Sequence, residues 1–134
     1  YMFYEGMKEN VRAIGLAYSN DKGNTWHKLR IKGKKDPGGP IFEARYNNKN
    51  AWDNYGVGCP WIVKKLDGKL RMYYLGIGST KEGNLTTAIG CTNCINNDLT
   101  NWERVYVRRR PEIIRTNEYY DLEYIRYENI SNIC

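Results

Sequence analysis

Three short stretches of this chain return once, in the same order. Met2-Phe3-Tyr4-Glu5-Gly6 returns as Met72-Tyr73-Tyr74-Leu75-Gly76, and Ile14-Gly15-Leu16-Ala17-Tyr18-Ser19 as Ile89-Gly90-Cys91-Thr92-Asn93-Cys94. Asp21, Trp26 and Leu29 are matched, with one residue order altered between them, by Asp98, Trp102 and Val105. A chain that repeats this way is built from units that bury their apolar faces against one another.

Each repeated stretch reads as a β-strand. Lys69–Leu75 is apolar and aromatic and follows the hairpin signal Asp67-Gly68. Before that turn stands Trp61–Lys64, after the second strand comes Thr86–Cys91, and Trp102–Val107 alternates and closes the set. No stretch of twelve residues carries a helical period. Residues 53 to about 107 therefore predict four consecutive antiparallel strands, and a repeated four-stranded meander is the unit of a β-propeller. Met2–Gly6, Ala13–Ser19 and Trp26–Ile31 predict strands two to four of a preceding blade. Tyr119–Tyr127 predicts the first strand of a following one.

The expected fold class is all-β, a partial propeller of about two blades. Residues 1–52 form an incomplete blade with a turn motif and a loop, 53–110 a complete blade, and 111–134 a linker and the first strand of the next. Open sheet flanks need covering, so the remaining blades of the same protein are the expected partner. A small self-sufficient β-sandwich is the competing architecture.

The composition agrees with a folded β protein. Four Trp and twelve Tyr among 134 residues favour strands, and aromatic rings of this kind also stack on sugar faces. The net charge of +6 is spread over short runs such as Arg108-Arg109-Arg110, which read as solvated surface and not as a nucleic-acid footprint. No run of about 18 apolar residues predicts a membrane span. Cys91-x-x-Cys94 gives only two of the four ligands of a structural zinc site, and His27, the sole histidine, is distant. No metal and no cofactor is expected. Asn84-Leu85-Thr86 and Asn129-Ile130-Ser131 fit the glycosylation triplet; the compartment stays open.

Ser19-Asn20-Asp21-Lys22-Gly23-Asn24-Thr25-Trp26 fits Ser-x-Asp-x-Gly-x-Thr-Trp at every specified position and resembles the Asp-box of sialidases and related propellers. Its logic is structural. The Asp carboxylate accepts turn N–H groups, the Gly permits a positive φ, and the Trp is expected between sheets. A sialidase would also hold its substrate carboxylate with arginines, to which Arg71 and Arg126 are candidates.

Trp52-Asp53-Asn54-Tyr55-Gly56-Val57-Gly58-Cys59-Pro60-Trp61, followed by Asp67-Gly68-Lys69-Leu70-Arg71-Met72-Tyr73-Tyr74, resembles the arabinanase, levansucrase and invertase superfamily of five-bladed propeller glycosidases, families 32, 43 and 68 among them. The resemblance implies carboxylates from successive blades facing a central funnel, one as nucleophile or base, one as stabiliser, one as acid. Carboxyl groups of separated acidity are what glycosidic cleavage requires. It implies Asp53 as base or stabiliser, Asp121 or Glu123 as acid, and Tyr55, Trp61 and Tyr124 as stacking residues for an oligosaccharide or polysaccharide. Asp53 has a second reading, as a turn cap beside Gly56 and Gly58. The superfamily's Trp-x-Asn-Asp-Pro-Asn-Gly, Arg-Asp-Pro and Glu-Cys motifs do not occur here. The expected function is thus that of a glycoside hydrolase-like propeller, with a non-catalytic carbohydrate- or protein-binding propeller as the alternative.

Overall fold

The computed structural model describes residues 1–29, 31 and 38–105. These residues are all-β and form two antiparallel sheets. The first is three-stranded, in the order β1 (Met2–Lys8), β2 (Val11–Tyr18) and β3 (His27–Lys28). The second has four strands in sequence order: β4 (Gly56–Lys64), β5 (Leu70–Ser79), β6 (Leu85–Ile95) and β7 (Asp98–Arg104). No helix occurs among the described residues, so none is long and apolar enough to cross a membrane.

Two hairpins turn on paired left-handed residues. Glu9 and Asn10 have φ of 51° and 65° and join β1 to β2, while Asn96 and Asn97, at 51° and 56°, join β6 to β7. Such two-residue turns match the right-handed twist of the flanking strands. The second turn brings Asp98 opposite Ile95. The last strand therefore starts at Asp98, four residues ahead of the start at Trp102 expected from alternation, and Tyr106 and Val107 lie outside the described residues.

β3 is shorter than the expected Trp26–Ile31. Leu29 N–H still donates to Leu16 O at 2.8 Å. Beyond that, the place beside β2 is taken by Ile41 and Phe42: Ile14 N–H donates to Phe42 O at 3.0 Å, and Ile41 N–H to Ile14 O at 2.8 Å. One lane of the sheet is thus shared by two separate pieces of chain.

The sequence repeat is also a repeat of register. Met2 lies opposite Ala17 as Met72 lies opposite Thr92, and Tyr4 opposite Gly15 as Tyr74 opposite Gly90. Ala17 pairs with Lys28 as Thr92 pairs with Arg104. In both sheets the glycine is there for space. A side chain on Gly15 would run into the Tyr4 ring, and one on Gly90 would meet Tyr74 and Trp52 at about 2.6 Å.

The core is a cluster of Ile14, Phe42, Ala44, Val57, Met72 and Tyr74, so it joins β2, the returning segment and the second sheet. Full burial of the Ile14, Phe42, Val57 and Met72 side chains contributes about 1.5–3 kcal/mol each. The β1–β2 hairpin lies on β4, and Phe3 meets the Trp102 ring edge-on at 5.7 Å.

The Asp-box turn between β2 and β3 forms as its residues predict. Asp21 accepts from the Thr25 backbone at 2.8 Å and from the Thr25 hydroxyl at 2.6 Å. The Ser19 hydroxyl donates to Asp21 at 2.7 Å and accepts from Gly23 N–H at 2.8 Å, with Gly23 at φ 94°. The Thr25 hydroxyl, then the Thr25 N–H and the Ser19 hydroxyl, hold the Asp21 carboxyl well below the usual carboxylate range. Trp26 departs from expectation: it is exposed, because no second sheet lies over its side of the three-stranded sheet among the described residues. Its counterpart Trp102 does pack between sheets, against Phe3.

Candidate functional site

Asp53 sits at the centre of the charged core. The segment leading to it folds back on itself, with Arg45 N–H donating to Asp53 O at 3.1 Å, Asn48 N–H to Arg45 O at 2.8 Å and Ala51 N–H to Asn48 O at 2.9 Å. Asn54 ties the segment to the end of β5 by accepting from Ser79 N–H at 2.8 Å. Trp52 stacks on Tyr74, with centroids 5.7 Å apart and planes 20° apart. Its indole covers Gly76 and Gly90, where any side chain would collide with it. Asp53 is thereby pressed against the sheet and wholly buried.

Both carboxylate oxygens are engaged. Arg45 Nε donates to Oδ1 at 2.5 Å, while Arg104 Nε and the Tyr74 hydroxyl donate to Oδ2 at 2.8 and 3.0 Å. Arg104 also lies over the Phe42 ring at 4.1 Å and donates to Glu43 O at 2.5 Å. Burial, and after it the neighbouring Asp53 charge, push the Tyr74 phenol far above its ordinary range, so Tyr74 remains a donor. Two partly buried guanidinium groups around one buried carboxylate form a network that is costly to break from either side. The turn-cap reading of Asp53 does not describe this geometry, since the carboxylate reaches guanidinium groups and a phenol.

The second cluster lies along β4, the edge strand. Tyr55 stands just before it and Trp61 within it, and their exposures are 43% and 70%. Because of a bulge, the interval from Gly56 to Trp61 lies opposite only Ile77 to Tyr73 of β5, so at 3.3 Å per residue the backbone positions of Tyr55 and Trp61 are about 16 Å apart. Between them Cys59 adopts φ 48° in a bulge where Gly58 pairs with Leu75 and Trp61 with Tyr73. Glu5 reaches this bulge from β1, accepting Cys59 N–H at 3.1 Å on Oε2 and Arg12 Nη1 at 2.9 Å on Oε1. Sequence reasoning passed over Glu5. The available signal was a charge at the position where the repeat has the apolar Leu75.

A third feature is an open cavity of about 600 Å³ on the other side of the three-stranded sheet, lined by Tyr4, Gly6, Gly15, Lys28, Glu43 and Tyr46. Burial, then Glu43, raise the Tyr46 phenol above its ordinary value.

The structure therefore brings Asp53 together with Arg45, Arg104 and Tyr74, and places Tyr55 and Trp61 on a different surface. Asp121, Glu123, Tyr124 and Arg126 lie outside the described residues. Arg71 donates to Asn93 at 3.0 Å. His27 lies against Tyr18 at 5.4 Å. Cys91 and Cys94 point to opposite faces of β6, as residues three apart on a strand must, and among the described residues no three His, Cys, Asp or Glu side chains gather as metal ligands.

The fold and site define an all-β chain with two antiparallel sheets and a buried arginine–carboxylate centre. No family model matches the chain, and no curated protein or solved structure matches it.

Proposed function

We propose that this chain is part of a carbohydrate-active β-propeller and that the β4 surface carries its sugar contacts. The observation behind this reading is the exposure of Tyr55, just before the edge strand β4, and of Trp61 within it, with the Glu5 carboxylate on the backbone between them. An aromatic ring exposed to this degree offers an apolar face and a polar tip to a ligand. Two rings so far apart suit an extended oligosaccharide better than a single sugar. The four-stranded meander of β4–β7 and the register shared with β1–β3 support the propeller part of the reading.

Hydrolysis is the second reading, and it rests on Asp53 standing just before β4, where the superfamily resemblance puts a functional carboxylate. In the present geometry Asp53 contacts no solvent, so it acts on substrate only if Arg45 or Arg104 gives way to it. A glycan array followed by assay of reducing ends separates the two. Binding without product release, abolished by Tyr55→Ala or Trp61→Ala, supports recognition; release of reducing ends supports hydrolysis. Binding that survives both substitutions removes the β4 assignment.

A further inference from the structure

Strand β4 changes sides part-way along. Gly58 lies opposite Leu75, and pairing resumes with Trp61 opposite Tyr73, so β4 uses one residue more than β5 over the same interval. An extra residue of this kind reverses the alternation of everything after it. Residues directly opposite one another share a face of the sheet. Trp61 therefore lies on the side of Tyr73, and Ile62 lies on the side of Met72, where it packs against the core. With unbroken alternation position 61 would fall opposite Met72, on the face where Val57, Met72 and Tyr74 are all buried. The bulge thus decides which of Trp61 and Ile62 enters the core and which stays outside it.

The residues of the bulge do not favour it by themselves. Cys59 has φ 48°, a left-handed conformation that few residues other than glycine adopt. It also precedes Pro60, and a proline ring drives the residue before it towards extended backbone. Backbone held against its own preference persists only where the surroundings fix it. Here the fixing group comes from the other sheet. Glu5 Oε2 accepts from Cys59 N–H at 3.1 Å and from the Cys59 thiol at 3.7 Å. Glu5 Oε1 accepts from Arg12 Nη1 at 2.9 Å, and Arg12 is the diagonal neighbour of Glu5 on the β1–β2 hairpin. Gly58 leaves room for this approach, since a side chain there would overlap the Glu5 carboxylate.

We propose that Glu5 is a positioning residue for Trp61. It clasps the bulge at Cys59 across the two sheets, Arg12 keeps the carboxylate aimed, and the clasp holds Trp61 on the Tyr73 side of the strand. Without it, neither Cys59 nor Pro60 keeps the left-handed step in place. The extra residue then shifts along β4, and the side on which Trp61 lies shifts with it. The charge at position 5 has no parallel in the repeat, where Leu75 occupies the matching place and Leu75 has no bulge to hold. The inference deepens the reading of Trp61 as a sugar contact and rests on that reading for its use; the placing of the ring itself needs no sugar.

Nuclear magnetic resonance of the full chain tests it through two signals: hydrogen exchange at the Cys59 amide, and the Trp61 indole N–H resonance, assigned with Trp61→Phe. Glu5→Ala is expected to speed exchange at Cys59 by about tenfold or more and to shift or split the Trp61 indole signal. Glu5→Gln keeps an acceptor oxygen and should fall between this variant and the wild type. Cys59→Gly added to Glu5→Ala should restore a single Trp61 signal at its wild-type position, because glycine takes a left-handed conformation unaided, while the amide at position 59 goes on exchanging fast. A carboxylate that merely stabilised the fold would give no such rescue at one backbone position. Circular dichroism checks that each variant keeps the β fold, and Arg12→Ala, which loosens the carboxylate without removing it, replaces Glu5→Ala should the latter unfold, with the same two shifts expected in smaller measure. Unchanged Cys59 exchange and an unchanged Trp61 signal in Glu5→Ala, or in Arg12→Ala where that variant stands in, overturn the proposal. So does a displaced Trp61 signal that Cys59→Gly leaves displaced. Sugar binding enters neither signal, so a wild type that binds no glycan removes the carbohydrate reading and leaves these outcomes to decide the clasp.

Discussion

Replacing Asp53 by Asn tests whether the buried carboxylate is the anchor of the fold. The change keeps the shape and removes the charge, leaving the Arg45 and Arg104 guanidinium groups facing an amide. Removing one member of a buried ion pair costs about 3–5 kcal/mol. Here the arginine side chains are 17% and 15% exposed, so part of their hydration is recovered and the lower end, about 3 kcal/mol, applies. With a urea dependence of about 1–2 kcal/mol per molar for a small protein, the midpoint should fall by roughly 1.5–3 M. The loss is a loss of pairing, so Arg45→Met introduced beside Asp53→Asn should cost much less than it does in the wild type. Its coupling with Asp53 is expected in the range of about 0.5–3 kcal/mol. Urea unfolding of the four chains, followed by circular dichroism, gives both quantities. A Asp53→Asn chain within about 0.5 kcal/mol of wild type would refute the reasoning. If that same stable variant had lost the release of sugar from a substrate, the hydrolytic assignment of Asp53 would gain what the anchor lost.

Two further outcomes follow from the titrating groups. Asp21 is held below its ordinary acidity range by Thr25 and Ser19, so the stabilisation it gives is present above the unfolded-state value and fades as pH falls through the lower folded one. The stability gap between wild type and Asp21→Asn, measured by urea unfolding along a pH series, should therefore narrow on acidification below about pH 4. Tyr74 is raised by burial and by Asp53, so its contribution is whole below about pH 10 and is lost as pH climbs towards its folded value. Ultraviolet titration of the tyrosinate band should show a phenol that ionises only with unfolding, and Tyr74→Phe should remove that late step.

The parts of the fold that were legible in the sequence are those that depend on local alternation and on the repeat. The four strands from β4 to β7, the hairpin at Asp67-Gly68 and the Asp-box turn all follow from residues close together in the chain. The β6–β7 turn was missed because Asn96-Asn97 lacks the glycine that usually marks a turn with two left-handed residues. The short β3 was missed because its lane is finished by Phe42, and nothing local announces that return. Asp53 could be singled out by its position just before β4, but its partners could not. Arg45 and Arg104 stand eight and fifty-one residues away, and only the packed sheet brings them to one carboxylate. The exposure of Tyr55 and Trp61 likewise depends on which parts of β4 the β1–β2 hairpin covers, which is a property of packing and not of the strand's own residues.

The edge of β4 has one more consequence. Strand edges that offer a free row of donors and acceptors recruit other chains into cross-β growth. Here Pro60 has no N–H to offer, Cys59 has already given its own to Glu5, and the left-handed Cys59 bends the line that an incoming strand would have to follow. A single acidic side chain on a neighbouring hairpin therefore helps keep this border closed to fibril templating, and replacing Glu5 by alanine would return one donor to the row.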